Sequence, residues 1–255
     1  MRILKTSCAQ ILLALLLAVS TRAESLSLTN LLSQGEVAQK RGDAAGAFKF
    51  FSSAEPLATN CPDLCVMARR YCDLMHDTTS ASLQKTLAEK ALACSFRAVK
   101  IDPKNATAHL SVAVCYAKNF PYTNNQTKVN WSKLMKTECE TGLALDPKQD
   151  IGYYLLGRWN FDVANMNFIT KGLLKLVYGG LPEASNEAAI KCFKQAIALA
   201  PKRIIHHREL AKVYEATGET KLETAELEIC RSLKPVDRDD DEAQKDAVKR
   251  LAAAR

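Results

Sequence analysis

Four segments of this chain close in the same way, and that closing pattern constrains the fold more than any other feature. The fullest copy is Ala189-x3-Phe193-x2-Ala196-x4-Pro201. A second runs Ala91-x3-Ser95-x2-Ala98-x4-Pro103, a third keeps Gly142-x4-Pro147, and a fourth keeps Cys230-x4-Pro235. An earlier partial copy is Ala47-x3-Phe51-x2-Ala54. Residues at i, i+4 and i+7 share one face of an α-helix. Small residues there let a partner helix approach closely, and the large one fills the gap between helical pairs. Proline then ends the helix, because it lacks the N–H and its ring clashes with the preceding turn.

A partner helix precedes each copy. Tyr154-Leu-Leu-Gly157-Arg-Trp-Asn160, Leu210-Ala211-Lys-Val-Tyr214, Val112-Ala113-Val-Cys-Tyr116 and Gly35 with Ala38 each place a small residue where two helices would cross. The prolines at 103, 147, 201 and 235 are separated by 44, 54 and 34 residues. The last spacing is the tetratricopeptide period. The other two exceed it by roughly ten and twenty residues and fit insertions inside hairpins, a short one from Phe120 to Asn130 and a long one from Asn165 to Leu181, with Thr78 to Leu87 as another short one before the first of these prolines. The amphipathic stretch Phe168 to Tyr178 in the long insertion is expected to lengthen a helix. Glycine (10) and proline (8) are scarce, which favours helices over a meander of short strands. The expected fold is therefore all-α, a tetratricopeptide-like superhelix of about five helical hairpins. A polar helix from Asp239 through Ala254 would close it, with Asp239 as its cap and the run Asp239 to Asp241 solvated; a frayed tail is the alternative.

The chain opens with Arg2 and Lys5, an apolar run from Ile11 to Val19, and small residues around Ala23. The run is too short to span a bilayer, which needs about 20 residues. Residues 1–23 therefore read as a signal peptide, with a short signal anchor as the alternative, and residues 24–255 as the repeat domain. The first reading places the protein in the secretory pathway, outside the cell or in a periplasm; the second leaves it anchored and facing the cytosol. Removing residues 1–23 lowers the formal charge from +7 to +4, which does not call for nucleic acid. Eight cysteines follow: Cys61, Cys65, Cys72, Cys94, Cys115, Cys139, Cys192 and Cys230. Their even number permits up to four disulfides, and burial as small core residues is the equal alternative.

The stretch Tyr153-Tyr-Leu-Leu-Gly-Arg-Trp-Asn-Phe-Asp-Val-Ala164, followed by Gly179-Gly-Leu-Pro182, Ser185 and Glu187-Ala188, resembles the signature of the regulator of microtubule dynamics family. The likeness runs in outline over residues 28–235 and is specific over about 150–200. It implies an all-α, non-catalytic domain. It also implies a protein partner, with tubulin or microtubules the family's association, and phospholipid as an alternative ligand.

In such an array the first helices line the inner groove. That projection names Arg70, Tyr154, Arg158, Phe161, Arg208 and Lys212 as candidate contacts for a carboxylate or phosphate and an apolar stem. Ordinary solvated groove residues are the alternative. Trp159 is expected to pack rather than to bind. A lipid-binding protein would instead hold an apolar cavity under the long insertion, with Leu173, Leu174, Leu176 and Val177 facing inward. No hydrolase, metalloprotease, phosphate-loop or dinucleotide motif occurs. His206 and His207 are adjacent and diverge by about 100°, so they cannot share a metal; His76 and His109 stand isolated. No enzyme activity, cofactor, metal site or nucleic-acid partner is expected.

Overall fold

The computed structural model describes residues 27–253, and the signal-peptide segment lies outside them. Among the described residues there are twelve α-helices and no strand. They are α1 (Leu28–Lys40), α2 (Ala44–Ala54), α3 (Cys61–Met75), α4 (Ala81–Ile101), α5 (Ala106–Asn119), α6 (Asn125–Leu145), α7 (Asp150–Ala164), α8 (Phe168–Tyr178), α9 (Asn186–Leu199), α10 (Ile204–Thr217), α11 (Thr220–Ser232) and α12 (Arg238–Ala253). The chain divides into two compact units that meet between Thr59 and Asn60. The first holds one hairpin, α1 with α2. The second holds α3 with α4, α5 with α6, α7 with α9, α10 with α11, and α12 packed on the last pair. The fold is tetratricopeptide-like.

Side chains start most of these helices. Asn60, Ser80, Asn105, Asn124, Asn167 and Ser185 each accept a hydrogen bond from the backbone N–H three residues on, satisfying a donor the helix cannot. Two helices stop at Asp102 and Asp146, just before the repeat prolines, and those carboxylates accept from the N–H of Lys104 and Lys148. Gly218, at φ +78°, closes α10 in the left-handed conformation that glycine tolerates.

The crossing residues behave as the repeat pattern requires. Phe51 and Phe193 are fully buried, each against the glycine of its partner helix, Gly35 and Gly157. A Cβ added at Gly157 would fall 2.7 Å from the Phe193 ring, which has no room to move. The two shorter insertions lengthen second helices, so α4 and α6 reach 21 residues each. The long insertion differs from expectation. It does not extend α7. Asn167 caps a new helix, α8, and Gly179 (φ +72°) and Gly180 (φ +77°) end it.

The C-terminal acidic run also departs from its solvated reading. Asp237 caps α12 by accepting from Asp240 N–H at 3.0 Å. Asp240 is fully buried and accepts from the Ile205 N–H at 3.1 Å, with Arg203 3.7 Å away. Asp239 faces Lys118 at 3.4 Å and Arg69 at 3.8 Å. These acids fasten the closing helix to α10 and to the inner faces of α3 and α5. All eight cysteines among the described residues are thiols, and six are buried. Burial pushes the Cys65 and Cys230 thiols up to about 12, which favours the protonated form at neutral pH.

Candidate functional site

Two of the insertions that break the 34-residue period meet in space. The first supplies the turn Phe120–Tyr122 and the opening turns of α6, with Phe120, Lys128 and Val129. The second supplies α8, with Thr170, Leu173, Leu174 and Val177. Lys133 Nζ donates to the Tyr178 carbonyl at 3.2 Å, joining α6 to the end of α8, where a cation also complements the helix dipole. Between these walls and the inner faces of α5 and α7 lies a cavity of ≈ 720 Å³. Its floor is apolar: Val129, Met135, Leu155, Trp159 and Val163. That volume falls within the roughly 300–1,000 Å³ usual for small-ligand pockets.

Trp159 is a wall of this cavity as well as a packing residue. It is buried, and its Nε1–H donates to Ser132 Oγ at 2.9 Å, which fixes the indole plane. Cations stand at the mouth: Arg69, Lys118, Lys128 and Arg158, with Asp162 and Asp239 among them. Burial pushes the Asp162 carboxyl up, and Arg158 opposes the shift. Arg158 remains solvent-accessible and makes a long 3.5 Å contact with the Tyr154 hydroxyl. A second, more polar cavity of ≈ 430 Å³ adjoins the first. Tyr154, Val114 and Ile151 stand in the wall of both. There His206 Nε2 pairs with Asp150 at 2.7 Å while its buried Nδ1 has no hydrogen-bond partner. That hydrogen bond holds the Asp150 carboxyl below its ordinary range.

The sequence-derived contacts separate into four groups. Tyr154 and Arg158 line the cavity. Arg208 and Lys212 gather around a carboxylate that the sequence reading missed: Glu209, buried, pairs with Arg208 at 3.0 Å and Lys212 at 3.4 Å. Phe161 packs into the core with Phe193 and Val213. Arg70 lines neither cavity; its neighbour Arg69 lines both, a shift of about 100° around α3. Leu176 also points away from the cavity, whereas Leu173, Leu174 and Val177 line it.

The histidines are less isolated than their spacing suggests. His109 Nδ1 lies 2.6 Å from Glu138 and its Nε2 3.0 Å from the Pro103 carbonyl. His207 repeats the arrangement with Glu226 at 2.7 Å and the Pro201 carbonyl at 3.1 Å. Both ring nitrogens face acceptors in each case, and only the imidazolium can donate to both. Burial would lower both pKa values, but the carbonyl and the carboxylate outweigh it and raise them. No metal-ligating group of three or more side chains occurs among the described residues.

Comparison with known proteins places this architecture. Regulator of microtubule dynamics protein 2 from Homo sapiens is 27% identical over 91% of this chain and 57% of its own length. The Mus musculus protein of the same name is 25% identical over 92% of this chain and 58% of its own. The chain thus spans a little over half the length of these curated relatives. A thermophilic TPR protein from Thermus thermophilus shares the fold, with a TM-score of 0.59 at 16% identity over 87% of this chain and 99% of that one. The family profile described as "Regulator of microtubule dynamics protein 1-3" matches residues 27–255, and the chain belongs to that family.

Proposed function

We propose that this domain is a non-catalytic binding module that holds a long-chain amphiphile, of phospholipid or fatty-acid type, in the cavity beneath α8. The carrying observation is the cavity itself: ≈ 720 Å³, floored by apolar side chains, with Lys128 and Arg158 in its lining beside Arg69 and Lys118, which face Asp239. An acyl chain would lie against Leu174, Val177, Met135 and Trp159, where burial removes its surface from water at about 25 cal/mol per Å². An anionic head would face Arg158, whose planar fork suits phosphate or carboxylate. The alkaline thiols argue against nucleophilic cysteine chemistry, and the buried Asp240 and Glu209 are occupied by hydrogen bonds or ion pairs inside the fold.

Native mass spectrometry of the full chain purified from its own host tests this reading. A mass adduct of one amphiphile, released by organic extraction, is the expected result. A clean protein mass that gains nothing on exposure to phospholipid or fatty acid would remove it.

A second reading is a protein partner along the groove. It draws on the tetratricopeptide-like fold and on the microtubules in the relatives' names. In that reading Arg158, Arg208 and Lys212 meet an acidic peptide, and tubulin, the association that the family resemblance implies, is the first partner to try. The 3.0 and 3.4 Å pairs to Glu209 weaken it, since two of those three cations already face a buried carboxylate.

A further inference from the structure

Helix α8 presents two apolar faces, and the cavity uses only one. Leu174 and Val177 turn toward the cavity. Phe168, Ile169 and Leu176 lie on the other side and are 88%, 80% and 84% exposed. At 100° per residue they fall within one arc of about 100°. Isolated apolar residues on a surface need no explanation, but three large ones on a single helix that buries none of its residues form a contiguous patch.

The charges beside that patch are of one sign. From Val163 through Pro182 there is no Asp or Glu, and the charged residues are Lys171 and Lys175, one turn apart on one flank of the arc. Lys171 also reaches the Ala164 carbonyl at 2.7 Å, which fixes it beside the patch. A protein groove would satisfy the apolar face but would gain little from the lysines, which are depleted at such interfaces. An anionic bilayer surface satisfies both: the apolar side chains enter at headgroup level while the ammonium groups sit among the negative heads.

We propose that the outer face of α8 docks this domain on an anionic membrane surface, with Phe168, Ile169 and Leu176 inserted and Lys171 and Lys175 against the headgroups. Docked in this way, α8 is at once the membrane contact and the wall of the cavity, so an amphiphile has a short path between bilayer and floor. That consequence rests on the cavity reading above; the docking itself does not.

The test is flotation of the full chain with vesicles of phosphatidylcholine alone or with roughly one-third phosphatidylserine. The parent chain is expected to float with the anionic vesicles and to release in high salt. The triple variant Phe168→Ser, Ile169→Ser, Leu176→Ser changes only exposed positions outside the cavity. It is expected to keep its thermal midpoint and its uptake of a fluorescent fatty acid in vesicle-free buffer, and to lose vesicle affinity by about tenfold or more. Lys171→Glu with Lys175→Glu should lose it comparably. The proposal is overturned if the parent does not float, if either variant floats as well as the parent, or if binding ignores vesicle charge. A dimer abolished by the triple substitution, without flotation, would overturn it in favour of self-association. Failure of fatty-acid uptake with flotation intact would sink the cavity reading and leave the docking surface standing.

Discussion

Helices α8 and α10 lie in the same compact unit and are built on opposite principles. Helix α10 buries nine of its fourteen residues, including His206, His207 and Glu209; His207 and Glu209 are paired, and His206 is paired through Nε2 while its Nδ1 is not. Helix α8 buries none of its eleven. One sits where the 34-residue repeat is kept, the other in the largest departure from it. The difference teaches that the repeat supplies stability, whereas the insertions supply surface and volume. Substitution in the first should be read as unfolding, and in the second as altered binding.

The largest expected effect breaks the repeat side. Phe193→Ala empties a fully buried site against Gly157 and should cost about 3–5 kcal/mol, read as a lower urea midpoint at unchanged slope. Gly157→Ala should cost about 1–3 kcal/mol, since the new Cβ meets the ring at 2.7 Å and overpacking outweighs the gain in helix propensity. Leu176→Ser, by contrast, should lie within about 0.5 kcal/mol of the parent. A large loss there would mean that α8 contributes to the fold after all.

A smaller effect follows from the paired histidines. The folded pKa values of His109 and His207 are raised, so their contribution is fully present below the unfolded value of about 6.5 and is lost as pH rises through the folded values. The urea midpoint should therefore fall between pH 6 and pH 8, and His109→Gln with His207→Gln should flatten that slope. An unchanged slope in the double variant would show that the imidazolium geometry is not what the folded protein holds in solution.

The repeat was legible because it rests on local rules. Ala189, Phe193 and Ala196 declare a helix face by spacing alone, and Pro201 declares its end. The histidine clamps left a signal that sequence could have supplied: each histidine stands six residues after a repeat proline, at 103 and 109 and at 201 and 207, while Tyr153 takes that place after Pro147. Their glutamates lie 29 and 19 residues on, and no local rule connects them. Asp240 was hidden for the opposite reason. In a run of four acids, sequence gives no ground for choosing the one whose carboxylate reaches Ile205 N–H.

The cavity was legible in composition and not in orientation. Residues 168–178 are apolar enough to cover a pocket, yet which of Leu173, Leu174, Leu176 and Val177 turn inward depends on how α8 is rotated against α6. That rotation follows from long-range contacts such as Lys133 with the Tyr178 carbonyl. Arg69 and Arg70 illustrate the same point, since a register error of one residue rotates a helix face by about 100°.

The most direct test of the central claim is titration of the delipidated full chain with a fluorescent long-chain fatty acid, alongside Leu174→Trp and Val177→Trp. Both positions face the cavity, and a larger ring there fills its volume while leaving the repeat core untouched. The account predicts one saturable site in the parent, weakened by about tenfold or more in each variant, with thermal midpoints close to that of the parent. Equal uptake by parent and variants, or none by the parent, would contradict it.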